Sequence, residues 1–253
     1  MSSFKKQVVL ITGAGSGIGR AVSLSFAQAG ASLVVSDVND GKGQETVDLI
    51  QEKGGEAAYM HCDVADPEHH IAAVAFATGT FGRLDVAVNN AGIGGRFARL
   101  IDQSMADWEQ MMAVNLGGVF YGMQAQIRQM LTQPEGGRIV NLSSIAGVKG
   151  MPMGAPYSAA KHGVIGLTKT AALEYVKKNI RVNAICPVYT HSAMVHDLMS
   201  VSPEMEERMR RVIPMGRFGQ PEEIAQAIMW LCAPENDFCT GQAIQMDGGM
   251  TAG

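Results

Sequence analysis

Short runs of β-branched and apolar residues recur along this chain, at VVLIT (8–12), SLVVSD (32–37), AAYMHCD (57–63), LDVAVNNAG (84–92), GRIVNLSS (137–144), IRVNAICP (180–187) and GQAIQMDGG (241–249). Segments of helical period separate them, the first from about Gly17 to Ala29 and the next ending near Lys53. Strands that alternate with helices pair in parallel, because each helical crossover returns the chain to the same edge of the sheet, and the helices then cover both faces. The expected fold is therefore α/β, a single-domain doubly wound parallel sheet with helices on both faces.

No internal repeat, low-complexity tract or Pro/Ser-rich linker divides residues 1–253, and a chain that is 47% hydrophobic and 17% charged suits one sizeable core. The net charge of −4 is spread along the whole chain, which leaves no basic face for a nucleic acid. Val8 to Ile11 is too short for a signal peptide, and no apolar run reaches the ~18 residues of a membrane span. Cys62, Cys186, Cys232 and Cys239 form no Cys-x-x-Cys pair, so neither a zinc site nor a disulfide framework is indicated and a reducing cytoplasm is expected. The rhythm falters only at about residues 188–219, a segment rich in methionine (Met194, Met199, Met205, Met209, Met215). An insertion after a strand's carboxyl end lies over the ligand crevice of such a sheet, so this one is expected to be a substrate lid.

Thr12-Gly13-Ala14-Gly15-Ser16-Gly17-Ile18-Gly19 follows the first strand and opens the first helix. Glycine permits a tight turn and close approach to a pyrophosphate, and the helix N-terminus offers free N–H donors with partial positive charge. The spacing differs from the strict G-x-G-x-x-G fingerprint, yet the strand–loop–helix setting still points to a dinucleotide and a Rossmann-type sheet. Asp37 ends the second strand, where a carboxylate can accept hydrogen bonds from an adenosine ribose and repel a 2′-phosphate. NAD is thus expected over NADP, with Arg20 and Lys42 as the nearest basic side chains and a plain turn as the alternative role for Asp37.

Tyr157 and Lys161 stand at i and i+4 on one helix face. An ammonium at ~4 Å in an effective dielectric of ~20 favours a phenolate by ~4 kcal/mol, enough to bring a phenol of pKa ~10 down to about 7. Ser144 ends the strand GRIVNLSS, where its hydroxyl can meet a substrate oxygen. Asn115 is a polar residue in an apolar helical stretch. It can cap a backbone carbonyl and hold a water leading to Lys161, or satisfy a local kink.

Together TGAGSGIG (12–19), NNAG (89–92), Asn115, Ser144 and YSAAK (157–161) resemble the short-chain dehydrogenase/reductase superfamily, in its single-domain branch of about 250 residues. The resemblance covers essentially the whole chain and extends to Asp63-Val64, the segment around Pro187 and the terminal DGG (247–249). It implies that Ser144 and Tyr157 bind the carbonyl or hydroxyl oxygen, that Tyr157 transfers the proton, that Lys161 also holds the nicotinamide ribose, and that Asn115 supports a proton relay. It further implies a cofactor groove lined by Gly13, Ser16, Gly17, Ile18, Gly19, Asp37, Asp63, Val64, Asn89, Ala91, Gly92 and Pro187, and a homotetramer packed through the helices that carry Asn115 and Tyr157. One departure stands out: Val188 follows Pro187 where the family usually has glycine, and Ser192 occupies the place of a threonine beside the nicotinamide carboxamide.

On the substrate side the expected pocket comprises Ile93, Ser144, Met151, Met153, Val188, Tyr189, Met194, Leu198 and Met199. Methionine adapts to irregular apolar ligands, although these methionines can equally pack the lid onto the body. Arg96 and Arg99 can meet an anionic substrate or remain solvated. His191 and His196 lack a third ligand at metal spacing, and His69-His70 reads as a helix surface, so no metal is expected. The expected activity is an NAD-dependent interconversion of an apolar or aromatic secondary alcohol with its ketone. An NADPH-dependent 3-oxoacyl thioester reductase and a non-catalytic dinucleotide-binding scaffold are the competing readings.

Overall fold

All five residues of VVLIT are buried, and alternation along the strand sends them to opposite faces of a sheet. The structure is a computed structural model and describes residues 4–192, 195 and 204–252. Seven strands pair in parallel: β1 (Val8–Thr12), β2 (Ser32–Asp37), β3 (Glu56–His61), β4 (Val86–Asn89), β5 (Gly137–Leu142), β6 (Ile180–Pro187) and β7 (Ala243–Met246), in the order β3-β2-β1-β4-β5-β6-β7. Helices α1 (Gly17–Gln28), α2 (Asp40–Gln51), α3 (Pro67–Phe81), α4 (Met105–Met112), α5 (Gly118–Met130), α6 (Ala155–Tyr175), α7 (Met205–Arg211) and α8 (Pro221–Cys232) surround the sheet. Val9 and Ile11 pack with Val22 and Phe26 of α1 and Ile224 and Ile228 of α8. Val8 and Leu10 pack on the other face with Ala77 of α3, Val119 and Met123 of α5 and Val164 of α6.

Local chemistry starts and stops the helices. The Asn39 side chain accepts from Lys42 N (3.0 Å) at the head of α2, and Asp66 accepts from Glu68 N (2.9 Å) just before Pro67 opens α3. Gly82 ends α3 in the left-handed region at φ 85°. Gln220 and Glu223 form a reciprocal capping box at α8. Between α4 and α5 the helix widens into a π segment, Ala113–Gly117, with Asn115 fully buried inside it.

Strand order reverses between β1 and β4, the switch point at which a crevice opens outside the carboxyl ends. The strands are shorter than the sequence runs there. β4 stops at Asn89 and β5 at Leu142, because the residues beyond them turn away into loops that no longer find ladder partners. Gly13, Asp37, Asp63, Asn90, Ser144 and Val188 thus stand at or just past successive strand ends on one rim of the sheet. His70 departs from its expected place on a helix surface: it is buried, and its Nε2 lies 2.9 Å from the Val64 carbonyl, with burial pushing its pKa down.

The described parts of residues 188–219 gather over that rim. Ile145, Val188, Val195, Met209, Ile213 and Phe218 form a small apolar cluster with Met205 and Tyr189 against it, so these two methionines pack α7 onto the body. Met215 is 69% exposed. The two ends of the segment are fastened side by side, with His191 N donating to Gly219 O (3.0 Å) and Gly219 N to Tyr189 O (3.0 Å). Met194, Leu198, Met199 and His196 lie outside the described residues.

Candidate active site

One cavity of about 720 Å³ occupies the rim, a size that suits a small-molecule or cofactor site. Gly13, Ser16, Gly17 and Ile18 line it. Gly13 has φ +63°, and a Cβ there would sit 2.8 Å from Ala91 Cα, so only glycine fits the turn. Gly19 does not line the cavity. It lets α1 close onto the loop, since its Cβ would lie 2.2 Å from Gly13 O. The Ser16 hydroxyl leaves the head of α1 uncapped, so the first-turn amides remain available to an anion.

Asp37 lines the cavity and is half-buried. Its Oδ2 accepts from Gly15 N (2.8 Å) and its Oδ1 from Asn39 N (2.9 Å), which fixes the carboxylate beside the glycine loop. Arg20 is committed elsewhere: it pairs with Glu45 (2.6 Å) and donates to Gly15 O (2.6 Å) and Thr46 Oγ1 (3.0 Å). Lys42 is not a lining residue, whereas Asp63 and Val64 are.

Asn89 does not line the groove. It is buried under the strand ends, where it exchanges hydrogen bonds with Gln126 (3.1 and 2.7 Å) and donates to Asn141 Oδ1 (2.8 Å). Its neighbour Asn90 takes the place expected for it, donating from Nδ2 to Thr12 O (2.9 Å) and Gly13 O (3.0 Å) and lining the cavity with Ala91, Gly92 and Ile93. The signal was in the pleat: the last ladder residue of β4 faces inward, and the next residue is the first free to turn.

Ser144, Tyr157 and Lys161 come together at the end of β5 and the start of α6. Ser144 Oγ accepts from Ala146 N (3.1 Å), and its hydroxyl acts on the Tyr157 phenol to lower its pKa. Lys161 is buried, donates from Nζ to Leu142 O (2.8 Å) and lies 5.6 Å from the Tyr157 ring centroid. Neighbouring serines brace the cluster, Ser143 Oγ donating to Lys161 O (2.9 Å) and Ser158 Oγ to Ala146 O (2.7 Å). Asn115 spends both ends of its amide on Ile93, accepting from its N–H and donating to its carbonyl (2.8 Å each). It therefore braces the loop after β4, and its second amide N–H reaches Met111 Sδ.

The expected drop in the Tyr157 pKa is not found. Burial raises it, and the Ser144 hydrogen bond offsets that only in part. The lysine beside it is itself desolvated and turned toward the Leu142 carbonyl, and burial lowers its pKa from 10.5 to about 8. Carrying the ammonium in the folded chain then costs about 3 kcal/mol. The cost is complete below about pH 8, where folded and unfolded chains are both protonated. It fades as pH rises toward 10.5, because the folded chain releases its proton first. Lys161→Met is accordingly expected to raise the unfolding midpoint of the ligand-free protein by several degrees at pH 7 and by clearly less at pH 10. Thermal melts of both proteins at the two pH values check this, and a gap that does not shrink with pH would refute it.

On the substrate side Met151, Pro187, Val188, Tyr189 and Ser192 line the cavity, and Ser192 Oγ accepts from Val195 N (3.3 Å). Met153 does not line it: at φ +63° the chain turns its half-exposed side chain outward while its carbonyl accepts from Ala98 N (3.0 Å). Phe97, Ile145, Val195, Val212 and Met250 complete this wall without having been expected, because they come from four separate segments that only the fold assembles. Among the described residues no group of three or more His, Cys, Asp or Glu side chains is placed to hold a metal ion, and no helix is long and apolar enough to cross a membrane.

The donor-rich glycine turn, the uncapped head of α1 and the carboxylate of Asp37 on the same wall fit the pyrophosphate and ribose of a dinucleotide. The family described as enoyl-(acyl carrier protein) reductase matches residues 13–251. The chain is 44% identical over 251 residues to cyclohexanol dehydrogenase of Acinetobacter sp. (strain SE19), covering 99% of this chain and 97% of that one. It is 40% identical over 252 residues to 2,5-dichloro-2,5-cyclohexadiene-1,4-diol dehydrogenase of Sphingobium indicum, covering both in full. Among solved structures, NAD+-bound xylitol dehydrogenase superposes with a TM-score of 0.93 at 36% identity over 97% of this chain and 99% of the other. A putative 2-deoxy-D-gluconate 3-dehydrogenase of Agrobacterium tumefaciens with bound NADP superposes at 0.91 with 35% identity over 99% and 98%. Similarity of this extent, over the whole fold, makes the chain a member of the short-chain dehydrogenase/reductase family of oxidoreductases, which bind nicotinamide dinucleotides.

Proposed function

We propose that the protein is an NAD(H)-dependent oxidoreductase that interconverts an apolar, cyclic secondary alcohol and its ketone. The observation that carries this reading is the convergence of Ser144, Tyr157 and Lys161 on one cavity wall, with Lys161 buried beside the Tyr157 ring. Two adjacent hydroxyls can hold one substrate oxygen, Ser144 donating to it while Tyr157 takes the alcohol proton. Lys161, buried beside the Tyr157 ring, can donate to ribose hydroxyls. A bound dinucleotide would supply the hydride acceptor for the carbinol carbon. Asn115 acts from behind, holding the loop after β4 through Ile93.

The preference for NAD rests on Asp37 and on the engagement of Arg20 by Glu45, which leaves no guanidinium for a 2′-phosphate. Asp63 and Val64 would bound the adenine, and Pro187 and Ser192 the nicotinamide. The cyclic alcohol is supported by the apolar wall and by the two dehydrogenases of ring alcohols to which the chain is similar. Residues 188–219 act as the lid over this site, and exposed Phe120, Leu173 and Val176 on and beside α5 and α6 suit the packing of a homotetramer.

Cyclohexanol and a panel of secondary alcohols, each with NAD+ and with NADP+, test the reading through the absorbance of the reduced nicotinamide. Turnover with NAD+ supports it. Preferential NADPH-driven reduction of a 3-oxoacyl thioester, which the description of the matching family favours, would replace it. Tight dinucleotide binding without turnover of any alcohol or ketone would indicate a scaffold.

Val188 narrows the pocket where a glycine would leave it open. Val188→Gly is expected to improve kcat/KM for bicyclic alcohols relative to cyclohexanol. It should also lower stability by roughly 2–3 kcal/mol through lost packing with Ile145, Met209 and Phe218. Parallel kinetics on the two alcohols and a thermal melt check both parts.

A further inference from the structure

Tyr189 brings a phenol to a largely apolar wall on which the neighbouring hydroxyls are already engaged, Thr190 Oγ1 donating to Val188 O (3.0 Å) and Ser192 Oγ accepting from Val195 N (3.3 Å). It lines the cavity immediately after Val188, its ring packs edge-on against Phe218 at 6.3 Å, and Phe97, Ile145, Met151, Val195 and Val212 are among the apolar residues of that wall. A tyrosine hydroxyl that a ligand covers has to find its partner in the protein or on the ligand. Here the backbone carbonyl of Tyr189 is bonded to Gly219, whereas its hydroxyl has no hydrogen-bond partner among the described residues, and burial alone pushes its pKa up. Tyr59, by contrast, donates its hydroxyl to the Asp37 carbonyl at 2.8 Å. Lys149 also reaches this cavity, but it is exposed and water serves it.

Resting on the alcohol dehydrogenase reading above, we infer that Tyr189 donates a hydrogen bond to a second oxygen of the substrate, so that the preferred substrates are ring diols or hydroxyketones and not simple ring alcohols. Ser144 and Tyr157 hold the reacting oxygen, and the Tyr189 hydroxyl meets a hydroxyl or carbonyl elsewhere on the ring. A substrate without that second oxygen leaves the phenol desolvated and unpaired in the closed complex. A site built around a hydrogen bond discriminates most strongly against the analogue that lacks the group.

The test compares kcat/KM for cyclohexanol with that for cyclohexane-1,2-, 1,3- and 1,4-diol in the wild-type protein and in Tyr189→Phe. Wild type is expected to favour at least one diol by about tenfold, and the Phe variant to bring that ratio close to one. Because the ratio is taken within one protein, partial misfolding or a displaced segment lowers both values and leaves it unchanged. Tyr189→Leu, which also removes the ring, separates packing from hydrogen bonding: its ratio should match that of the Phe variant. Turnover of cyclohexanol with no diol preference, or a preference that survives in Tyr189→Phe, would overturn the inference while leaving the alcohol dehydrogenase reading intact. Absence of turnover with every alcohol and ketone would overturn both.

Discussion

Tyr157→Phe is expected to lower kcat about 10³–10⁴-fold while changing the affinity for NAD+ by no more than about threefold. The substitution keeps the ring beside Lys161 and removes one oxygen, that of the phenol that would take the alcohol proton. Positioned proton transfer contributes about 10²–10⁴ to rate, and the upper part of that range applies because the same oxygen also orients the substrate. Steady-state kinetics on cyclohexanol and a calorimetric titration with NAD+ measure the two quantities separately. Turnover at the wild-type rate would remove Tyr157 from the mechanism. The pH profile carries a second check. Since burial raises the phenol pKa and the reactive form in alcohol oxidation is the phenolate, kcat/KM should climb with pH through neutrality, and the slope should vanish in the Phe variant.

The other large effect concerns cofactor choice. Asp37→Asn is expected to reduce the ratio of kcat/KM with NAD+ to that with NADP+ by about 10²–10³-fold. A carboxylate and a phosphate charge about 4 Å apart repel by roughly 4 kcal/mol at an effective dielectric of 20, and solvent in an open groove screens part of that. Asparagine keeps one acceptor for the Gly15 or Asn39 amide, so the glycine loop retains much of its support. Arg20 should contribute little to the change, being held by Glu45 and Thr46. Kinetics with both cofactors give the ratio directly. A ratio that stays within a factor of three would show that the discrimination lies elsewhere.

The layout of the sheet was legible because strand runs and helical segments each obey a simple period, and buried parallel strands announce themselves as apolar runs. Tyr157, Lys161 and Ser144 were legible because one helix and one strand end carry them at fixed spacing. Asn89 was misplaced because the choice between it and Asn90 depends on which residue is last in the ladder, and pairing partners across 77 or 78 residues of chain decide that. The Tyr157 pKa was misjudged for a related reason. Spacing along a helix gives the distance between two groups, but not how dry both are or that Leu142 draws the ammonium away. Met153 turned outward because of a left-handed backbone that no side-chain pattern signals. The apolar wall was the least legible part, being assembled from residues as distant in sequence as Phe97 and Met250.

The fastening of Tyr189 and His191 to Gly219 has a consequence for how such a protein can diversify. With the ends pinned side by side, a length change between them adds a closure entropy that grows only logarithmically, about 0.6 kcal/mol per doubling. A transplant of residues 192–217 between relatives therefore has to refill the apolar cluster that Val195, Met209 and Ile213 form on Ile145 and Val188.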